Sequence, residues 1–569
     1  TIEYTQIALG DSLKLAPREI VEPGFISLVR WIPGLDREGG WVNVFNRSGE
    51  FIEVELKPVD VVLMNPPFTK VERGIKKYID TKFEDRVGGE VGLWGHFIAL
   101  ADVFLKDNGI LGAVLPINLL RGRESKVVRR IIFQNWLPLY IIKPSLNYGF
   151  TEYAEYRDII VVAKKTRERP KDHKVKFCII KKDLNKLTED EARWIVKQIK
   201  CTNKLRSDLL DIDSYPLSYV NKHFDNMMPL ISGPSLEAKD ALHRIIEVAE
   251  KLLNPFPPNY FSEGYGPRPR GSSDFMFITR PINEGRIEKS FLILEDESKN
   301  EIVAKTKVGL QKFRFKKSHF LPSLRTPTGI DRIDVTKVHD YVAKEPYEHM
   351  DAVMTLCEFK KERLPANYWE DYIKREYRRS TTHLAVVRRI NPYSPNQMLV
   401  AHYSEKPLIV ADLFHAVNEP NNDRAKAVAT LLNSIFFLAY LFYLKEETTG
   451  RYTELRQYDL HIMKLFPSKR EQINNLLRVY NKYKDKKFPA LRTQLDINYD
   501  ERYEWFWKQE RGEADAPANL PPIKPHKLRL EFDMDVIKAL GADLTRKDVL
   551  KAYEAIIQDM IVTRGLRKD

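Results

Sequence analysis

The residues best suited to chemistry are four in a row, Asn65, Pro66, Pro67 and Phe68. The side-chain oxygen of Asn65 and the backbone carbonyl of Pro66 can both accept hydrogen bonds from a planar amine, which localises a lone pair otherwise delocalised into a ring. Two prolines fix φ and hold these acceptors in place. Phe68 offers a face on which an extruded base can stack. The loop therefore suits methyl transfer to an exocyclic amine, and the alternative is a proline-terminated strand followed by a loop aromatic.

A strand and a helix must position this loop. The apolar run Val59–Met64 ends just before the prolines and predicts a buried strand entering a loop. Apolar residues recur at helical spacing between Trp94 and Leu105, and residues 110–115 predict the next strand. A basic helix and further strands at residues 139–142 and 159–163 continue this alternation, which predicts an open α/β sheet.

The ordered series of motifs resembles the N6-adenine DNA methyltransferases of restriction-modification and phage-defence systems, particularly large enzymes with a C-terminal target-recognition domain. Residues 59–69 are similar to the catalytic strand and loop of that family, and residues 97–119 to the helix, turn and strand that follow it. The resemblance implies a Rossmann-like methyltransferase sheet and base flipping. It also implies that residues 65–68 are catalytic and that the substrate is adenine in a specific DNA sequence.

The resemblance further implies a cofactor, S-adenosylmethionine, and residues that contact it. Residues 7–13 (IALGDSL) look like the acidic motif of the family, in which the Asp accepts a hydrogen bond from the adenine amine of the cofactor. The matching residues are Asp11, Ser12 and Leu13. Residues 148–150 are similar to the region where an aromatic ring packs on the flipped base. The stacking candidates are Phe150, Tyr148 and Phe68.

One departure from the family concerns its glycine-rich loop, Phe-x-Gly-x-Gly, which binds the methionine end of the cofactor. This loop should lie well before Asp11, which only ten residues precede. The glycines at 39–40 and 264–266 come in the wrong order and lack the strand-to-helix context. We therefore expect a sheet that is incomplete at its N-terminus, and a chain that is either a fragment or one subunit of a split enzyme.

The texture of the sequence predicts four regions. A capping box at residues 188–191 starts a helix, and short β-like runs between Pro, Gly and Arg clusters come after it. The predicted regions are the C-terminal part of a catalytic domain (1–170), a linking helical segment (171–214), a mixed α+β target-recognition domain (215–467) and a helical C-terminal region (468–569).

Basic residues set among aromatic ones predict DNA contacts between residues 264 and 327. The candidates are Arg268, Arg270, Lys312, Arg314, Lys316 and Lys317. The alternation of Lys312, Arg314 and Lys316 with Phe313 and Phe315 has a second interpretation, a half-buried strand with one solvated face.

Composition limits the remaining possibilities. The formal net charge of +13 favours double-stranded DNA or another polyanion as partner. Three cysteines without paired spacing argue against a disulfide framework and a cysteine zinc site, and no metal is expected. The apolar residues 431–444 are too few to cross a bilayer and predict a buried helix. We expect no membrane association and a cytoplasmic location.

Other functions remain open at this point. Similar Asn-Pro-Pro-aromatic loops occur in enzymes that methylate RNA bases or a glutamine side chain. The long region after the catalytic domain favours a DNA enzyme that must find a site. A non-catalytic DNA-binding specificity subunit is a further alternative. A third is an associated nuclease, either fused or a separate partner, although no acidic-Lys cleavage constellation stands out in the sequence.

Overall fold

The computed structural model describes residues 4–8, 41–46, 51–68, 87, 91–145, 157–307, 310–445, 453–511, 513 and 522–565. The chain divides into two compact units. Unit 1 comprises Thr1–Lys239 with Glu446–Thr449, and unit 2 comprises Asp240–Lys445 with Gly450–Asp569. Both contain helices and mixed sheets, so the predicted α/β class is confirmed.

Unit 1 contains two sheets within the described residues. A small antiparallel sheet consists of β1 (Tyr4–Ala8), β2 (Trp41–Asn46) and β3 (Phe51–Glu55). The strands of the larger sheet are β4 (Val59–Met64), β5 (Leu105–Pro116), β6 (Leu137–Pro144), β7 (Asp158–Lys164), β8 (Lys174–Ile180), β9 (Lys204–Arg206) and β10 (Leu210–Pro216).

The described strands of the larger sheet follow the order β4-β5-β7-β6-β8-β10-β9. The pairs β4–β5 and β6–β8 are parallel, whereas β7 runs antiparallel to both of its neighbours. The helices of unit 1 are α1 (Leu93–Phe104), α2 (Lys126–Arg130), α3 (Glu189–Cys201) and α4 (Leu217–Lys222), and α5 (Leu236–Leu252) continues into unit 2. Helix α1 packs on β4 and β5 and buries Ile98 and Leu100 against the sheet.

The strand at Val59–Met64 has the predicted bounds but not the predicted burial. It is the edge strand of its sheet in the described structure, and Val61 and Leu63 are 54% and 80% exposed. Val62 and Met64 point the other way and pack against the core. An apolar run reads the same whether one face or both are covered, so the sequence could not distinguish these cases.

The segment 171–214 holds more than the predicted linking helix. The helix is present as α3, and its capping box is confirmed: Glu191 N donates to Thr188 Oγ1 at 3.2 Å and Thr188 N donates to Glu191 Oε2 at 2.8 Å. The flanking residues form β8, β9 and β10, which extend the sheet beyond β6. Ile195 and Ile199 of α3 pack against this extension, so the segment is part of unit 1.

Unit 2 is built around one large mixed sheet. The described strands of unit 2 are β11 (Asn254–Pro255), β12 (Phe261–Glu263), β13 (Phe277–Thr279), β14 (Leu292–Glu297), β15 (Glu301–Thr306), β16 (Lys312–Lys316), β17 (Phe320–Leu324), β18 (Asp340–Ala343), β19 (Thr381–Val387), β20 (Arg389–Ile390), β21 (Ala401–Val410), β22 (Phe414–Val417), β23 (Thr453–Glu454) and β24 (Lys464–Phe466). The large sheet has the order β12-β22-β19-β21-β17-β18-β13-β14-β15-β16 in the described part of the chain.

Helices of unit 2 surround this sheet and make up most of the C-terminal region. They are α6 (Ser273–Met276), α7 (Glu284–Glu288), α8 (Met350–Leu356), α9 (Lys374–Ser380), α10 (Asn422–Leu432), α11 (Ile435–Leu444), α12 (Gln457–Ile462), α13 (Arg470–Tyr483), α14 (Leu491–Leu495), α15 (Tyr499–Arg511), α16 (Lys527–Leu540) and α17 (Arg546–Gly565).

The most apolar stretch forms two helices. Every residue of α11 is buried, as the sequence predicted for this segment. No single helix among the described residues is long and apolar enough to span a membrane, although α10 and α11 together pass that test with a bend of 59° between them.

Candidate active site and nucleic-acid interface

The loop of residues 65–68 lies at the carboxyl end of a parallel strand pair. Met64, the last residue of β4, is in register with Ala113 of β5, so the loop emerges beside the end of β5 at Pro116. Ligands of open α/β sheets bind in the crevice outside the carboxyl ends of the strands. The loop therefore lies at the sheet edge where a substrate site is expected.

Neighbouring residues of this loop differ in exposure. Asn65 and Pro67 are exposed, whereas Pro66 is buried and Phe68 is half-buried. Phe68 packs against the core of unit 1. The buried ring and the packed aromatic anchor the loop, so the amide of Asn65 is held at the surface where an amine can reach it.

The turn after β5 contributes a polar group that the sequence did not single out. Asn118 follows Pro116 in a short helical turn, and its Oδ1 is buried without a hydrogen-bond partner among the described residues. Ile117 N donates to Arg157 O at 2.8 Å, which ties this turn to the start of β7. The available signal was an Asn two positions after a proline-terminated strand. Strand β7 runs antiparallel to β5, which brings its first residues to the same edge.

A buried arginine fixes the same turn. Arg129 of α2 is 1% exposed, and its Nη1 donates to Leu119 O at 2.8 Å and to Gly122 O at 3.2 Å. Its guanidinium lies 5.2 Å from the centre of the Phe224 ring. Burial lowers the pKa of Arg129 to about 10, although Asp225 acts in the opposite direction. The side chain of Arg129 thus donates to two backbone carbonyls of the turn, which have no backbone donor among the described residues.

Several predicted residues fall outside the described structure. They are the cofactor candidates Asp11, Ser12 and Leu13 and the stacking candidates Tyr148 and Phe150. The described residues contain no cluster of three His, Cys, Asp or Glu side chains that could hold a metal ion.

The basic residues of β16 and the turn after it are paired with glutamates. The distances are 2.7 Å for Lys312–Glu295, 2.8 Å for Arg314–Glu301, 3.0 Å for Lys316–Glu348 and 2.9 Å for Lys317–Glu297. Phe313 and Phe315 on the other face of the strand are buried. This is the half-buried strand with a solvated face that was the second interpretation, and its glutamates reduce the charge available to a phosphate.

Arg268 and Arg270 have a different setting. Both are exposed, and neither forms an ion pair with the acidic side chains of the described residues. They line a cleft of about 620 Å³ in unit 2. Of the six predicted DNA-binding residues, these two have the least compensated charge.

Comparison with protein families assigns the part of the chain that carries the loop. Residues 36–146 match the Eco57I restriction-modification methylase family. This stretch includes β4, the loop of residues 65–68, α1, β5 and Arg129. This match confirms the resemblance inferred from the sequence.

Solved structures of restriction-modification enzymes resemble the chain at low sequence identity. The type IIG restriction endonuclease BpuSI is 13% identical, with 90% of this chain and 54% of that chain covered and a TM-score of 0.35. The type IIL restriction-modification enzyme MmeI in complex with DNA is 9% identical, with 88% and 57% covered and a TM-score of 0.41. A type I methyltransferase subunit from Streptococcus thermophilus is 20% identical, with 30% and 37% covered and a TM-score of 0.25. The chain therefore spans about half the length of the first two proteins.

Proposed function

We propose that this chain is part of an enzyme that methylates the N6 amine of adenine in a specific DNA sequence, within a restriction-modification or phage-defence system. The observation that carries this proposal is the placement of residues 65–68 at the carboxyl end of β4, beside β5, with Asn65 exposed and Pro66 buried. The match of residues 36–146 to a restriction-modification methylase family supports it.

The loop residues have separate roles in the proposed reaction. Asn65 Oδ1 and the carbonyl of Pro66 accept hydrogen bonds from the adenine amine, which favours a tetrahedral nitrogen with a localised lone pair. Phe68 stacks on the extruded base and excludes water from one face. The chain's task is to orient and polarise the amine, because the methyl group that it attacks is already highly electrophilic.

The methyl donor in this proposal is S-adenosylmethionine, which supplies a methyl group on a positively charged sulfur. The described residues fit the amine side of such a site and not the side that would hold the donor. Beside the loop, Val61 and Leu63 are exposed on the outer face of β4. Sheets with parallel strands are usually covered on both faces. We therefore assign donor binding to Asp11, Ser12 and Leu13 together with a segment or partner subunit that carries a glycine-rich loop and covers this face.

Unit 2 takes the role of DNA recognition in this proposal, with Arg268 and Arg270 as the first candidates for contact. The net charge of +13 supports a polyanionic partner. An enzyme that acts on one base in many must hold the duplex in a defined register, and a large second unit with a basic cleft can provide that.

Asn65→Ala tests the proposal. We expect methyl transfer by the complete enzyme to fall at least about a hundredfold while DNA affinity stays within about twofold, because Asn65 acts on the amine in the transition state. Incorporation of tritium from labelled S-adenosylmethionine measures transfer, and fluorescence anisotropy measures binding. Asn203→Ala, at an exposed position near β9, is the matched control. A loss of less than about tenfold would remove Asn65 from the catalytic machinery.

A further inference from the structure

The cleft in unit 2 brings residues of three separate segments together. Residues 267–271 and Ser273 line the cleft, as do residues 411–413 in the turn between β21 and β22. Arg325, which directly follows β17, also lines the cleft. Its volume of about 620 Å³ is within the range of sites that enclose a small molecule or a nucleotide.

The segment that carries the two exposed arginines is held in place. Residues 267–270 read Pro-Arg-Pro-Arg, and the two prolines restrict the backbone. Tyr372 Oη donates to Gly266 O at 2.7 Å, and Arg363 Nη2 donates to Arg270 O at 3.0 Å. A segment fixed in this way loses little conformational entropy when a ligand binds.

Arg325 is fixed on one side only. Its side chain is 13% exposed, and its Nη2 donates to Asp274 Oδ1 at 3.1 Å. The Nη1 of the same guanidinium is buried and has no hydrogen-bond partner among the described residues. The cleft is therefore lined by a cationic group that its ion pair with Asp274 holds in place.

The turn between β21 and β22 carries an acceptor. Asp412 is exposed in this turn, and Ala411 N donates to Leu324 O at 3.0 Å, which ties the turn to β17. Partial desolvation raises the pKa of Asp412, while Arg389 and Arg388 act in the opposite direction. The cleft is therefore lined by a carboxylate as well as by guanidinium groups.

This combination of donors and an acceptor distinguishes two kinds of DNA contact. A site for backbone phosphate needs donors alone, and Asp412 would repel the phosphate. In the major groove, guanine presents the acceptors O6 and N7, and its cytosine partner presents the N4 amine as a donor. An arginine and an aspartate that line one cleft match that edge, one residue for each base.

We infer that this cleft reads a G·C base pair of the recognised DNA sequence, with Arg270 donating to guanine O6 and N7 and Asp412 accepting from cytosine N4. The inference rests on the proposed function in that it takes DNA as the substrate. Arg270 has the reading role because Arg363 fixes its backbone. Arg268 belongs to the same segment and adds positive charge to the cleft.

The test is selection of binding sites from duplexes that carry a randomised segment, using the full chain and sequencing the bound fraction. Arg270→Lys keeps the positive charge but loses the two-pronged donor. Asp412→Asn keeps the shape but replaces the acceptor with a mixed group. In each variant we expect the preference for G·C to fall about tenfold at one position of the selected site, the same position for both, with the other positions unchanged.

Matched controls come from exposed ion pairs of the same unit. Arg379→Lys alters an arginine paired with Glu376 at 2.9 Å, and Asp351→Asn alters an aspartate paired with Lys361 at 2.9 Å. Neither lines the cleft, so neither should change any position of the selected site. Circular dichroism checks folding, and Arg270→Gln and Asp412→Glu are second variants that should weaken the same position.

Three outcomes would overturn the inference. The first is a uniform loss of affinity at all positions in the cleft variants, which indicates phosphate contact. The second is a pair of variants that change different positions, and the third is a wild-type chain that selects no sequence. Methyl transfer by the complete enzyme is measured separately. Selective binding without methyl transfer would contradict the proposed function and leave the cleft inference intact.

Discussion

At the scale of single residues, the proposed reaction divides chemistry and positioning between Asn65 and Pro66. Asn65 is exposed and would offer the acceptor, and Pro66 is buried and would fix the direction in which that acceptor points. An exposed asparagine on a mobile loop would lose much of its effect to orientation, because a displacement of about 1 Å can cost about a hundredfold in rate. Pro66 and the packed ring of Phe68 supply the rigidity that Asn65 itself lacks.

Phe68→Ala should weaken the grip on an extruded adenine. Loss of base–aromatic stacking is worth roughly 1–3 kcal/mol. With 2-aminopurine at the target position, the fluorescence signal of the extruded base should fall in the variant, and turnover with it. Phe68→Tyr keeps an aromatic face and should retain most of the signal. An unchanged signal in Phe68→Ala would place the ring outside the base pocket.

The sequence singled out the loop at residues 65–68 because four adjacent residues could carry the proposed chemistry. It could not show that the basic residues of β16 are neutralised, since their partners Glu295, Glu301 and Glu348 lie on β14, on β15 and before α8. It did not single out Asp412, which lies 142 positions after Arg270 in the chain and lines the same cleft only after the sheet has formed. A local sequence pattern shows what chemistry adjacent residues could do, but it does not show which distant residues pair with them in the folded chain.

At the scale of elements, Asn433 decides where one apolar helix ends and the next begins. Its Oδ1 accepts hydrogen bonds from Val400 N and Ala401 N at 2.8 and 3.1 Å, and its Nδ2 donates to Ala401 O and Ala429 O at 2.7 and 3.0 Å. The side chain thus ties the end of α10 to the start of β21. The sequence predicted a buried helix here, but not the interruption, because the partners are backbone groups of a distant strand.

Asn433→Ala should strongly destabilise unit 2. The change leaves buried backbone groups of Val400 and Ala401 without partners, and net losses of about 1 kcal/mol per hydrogen bond sum to roughly 3–5 kcal/mol in unfolding free energy. Urea unfolding monitored by tryptophan fluorescence measures the effect. Asn203→Ala at an exposed position is the control. A change below about 1 kcal/mol would mean that water or neighbouring groups satisfy the strand end.

His402 on β21 should make stability depend on pH. Burial lowers its pKa from 6.5 to about 4, with Arg286 acting in the same direction and Asp331 in the opposite one. Between pH 6.5 and 4 the unfolded chain binds a proton that the folded protein does not, so stability present above pH 6.5 is lost as the pH falls through this window. His402→Gln should make that decline shallower in urea unfolding at a series of pH values. An unchanged slope would show that His402 is accessible to protons in the folded state.

The edge strand β4 shows what an element pattern can and cannot fix. Its bounds match the apolar run in the sequence, because a strand that enters a proline loop has sharp ends. Its exposure depends on what lies beside it, which the run does not encode. The sequence did not predict that β8, β9 and β10 extend the sheet, because the capping box at residues 188–191 made a helix the prominent local signal.

At the scale of the whole molecule, the two units differ in how complete their proposed roles are. Unit 2 encloses its cleft with residues that are all described. Unit 1 presents the proposed catalytic loop beside the exposed outer face of β4. If both proposals hold, DNA binding and methyl transfer can be separated experimentally, since they depend on different parts of the chain.

The chain purified alone should bind duplex DNA but should bind S-adenosylmethionine weakly and should not methylate. The surplus of 13 positive charges should give salt-sensitive DNA affinity, because each neutralised phosphate releases counterions. Donor binding is different, since no Phe-x-Gly-x-Gly pattern occurs in the sequence and Leu63 lies 80% exposed beside the catalytic loop. Loss of several hydrogen bonds at roughly 0.5–1.5 kcal/mol each should weaken donor binding by orders of magnitude.

Addition in trans of a polypeptide that carries the glycine-rich loop should restore donor binding and activity, and it should reduce the solvent exposure of β4 in hydrogen exchange. Calorimetry with S-adenosylmethionine on the isolated chain is the measurement, and micromolar affinity there would show that the chain builds its donor pocket from its own residues.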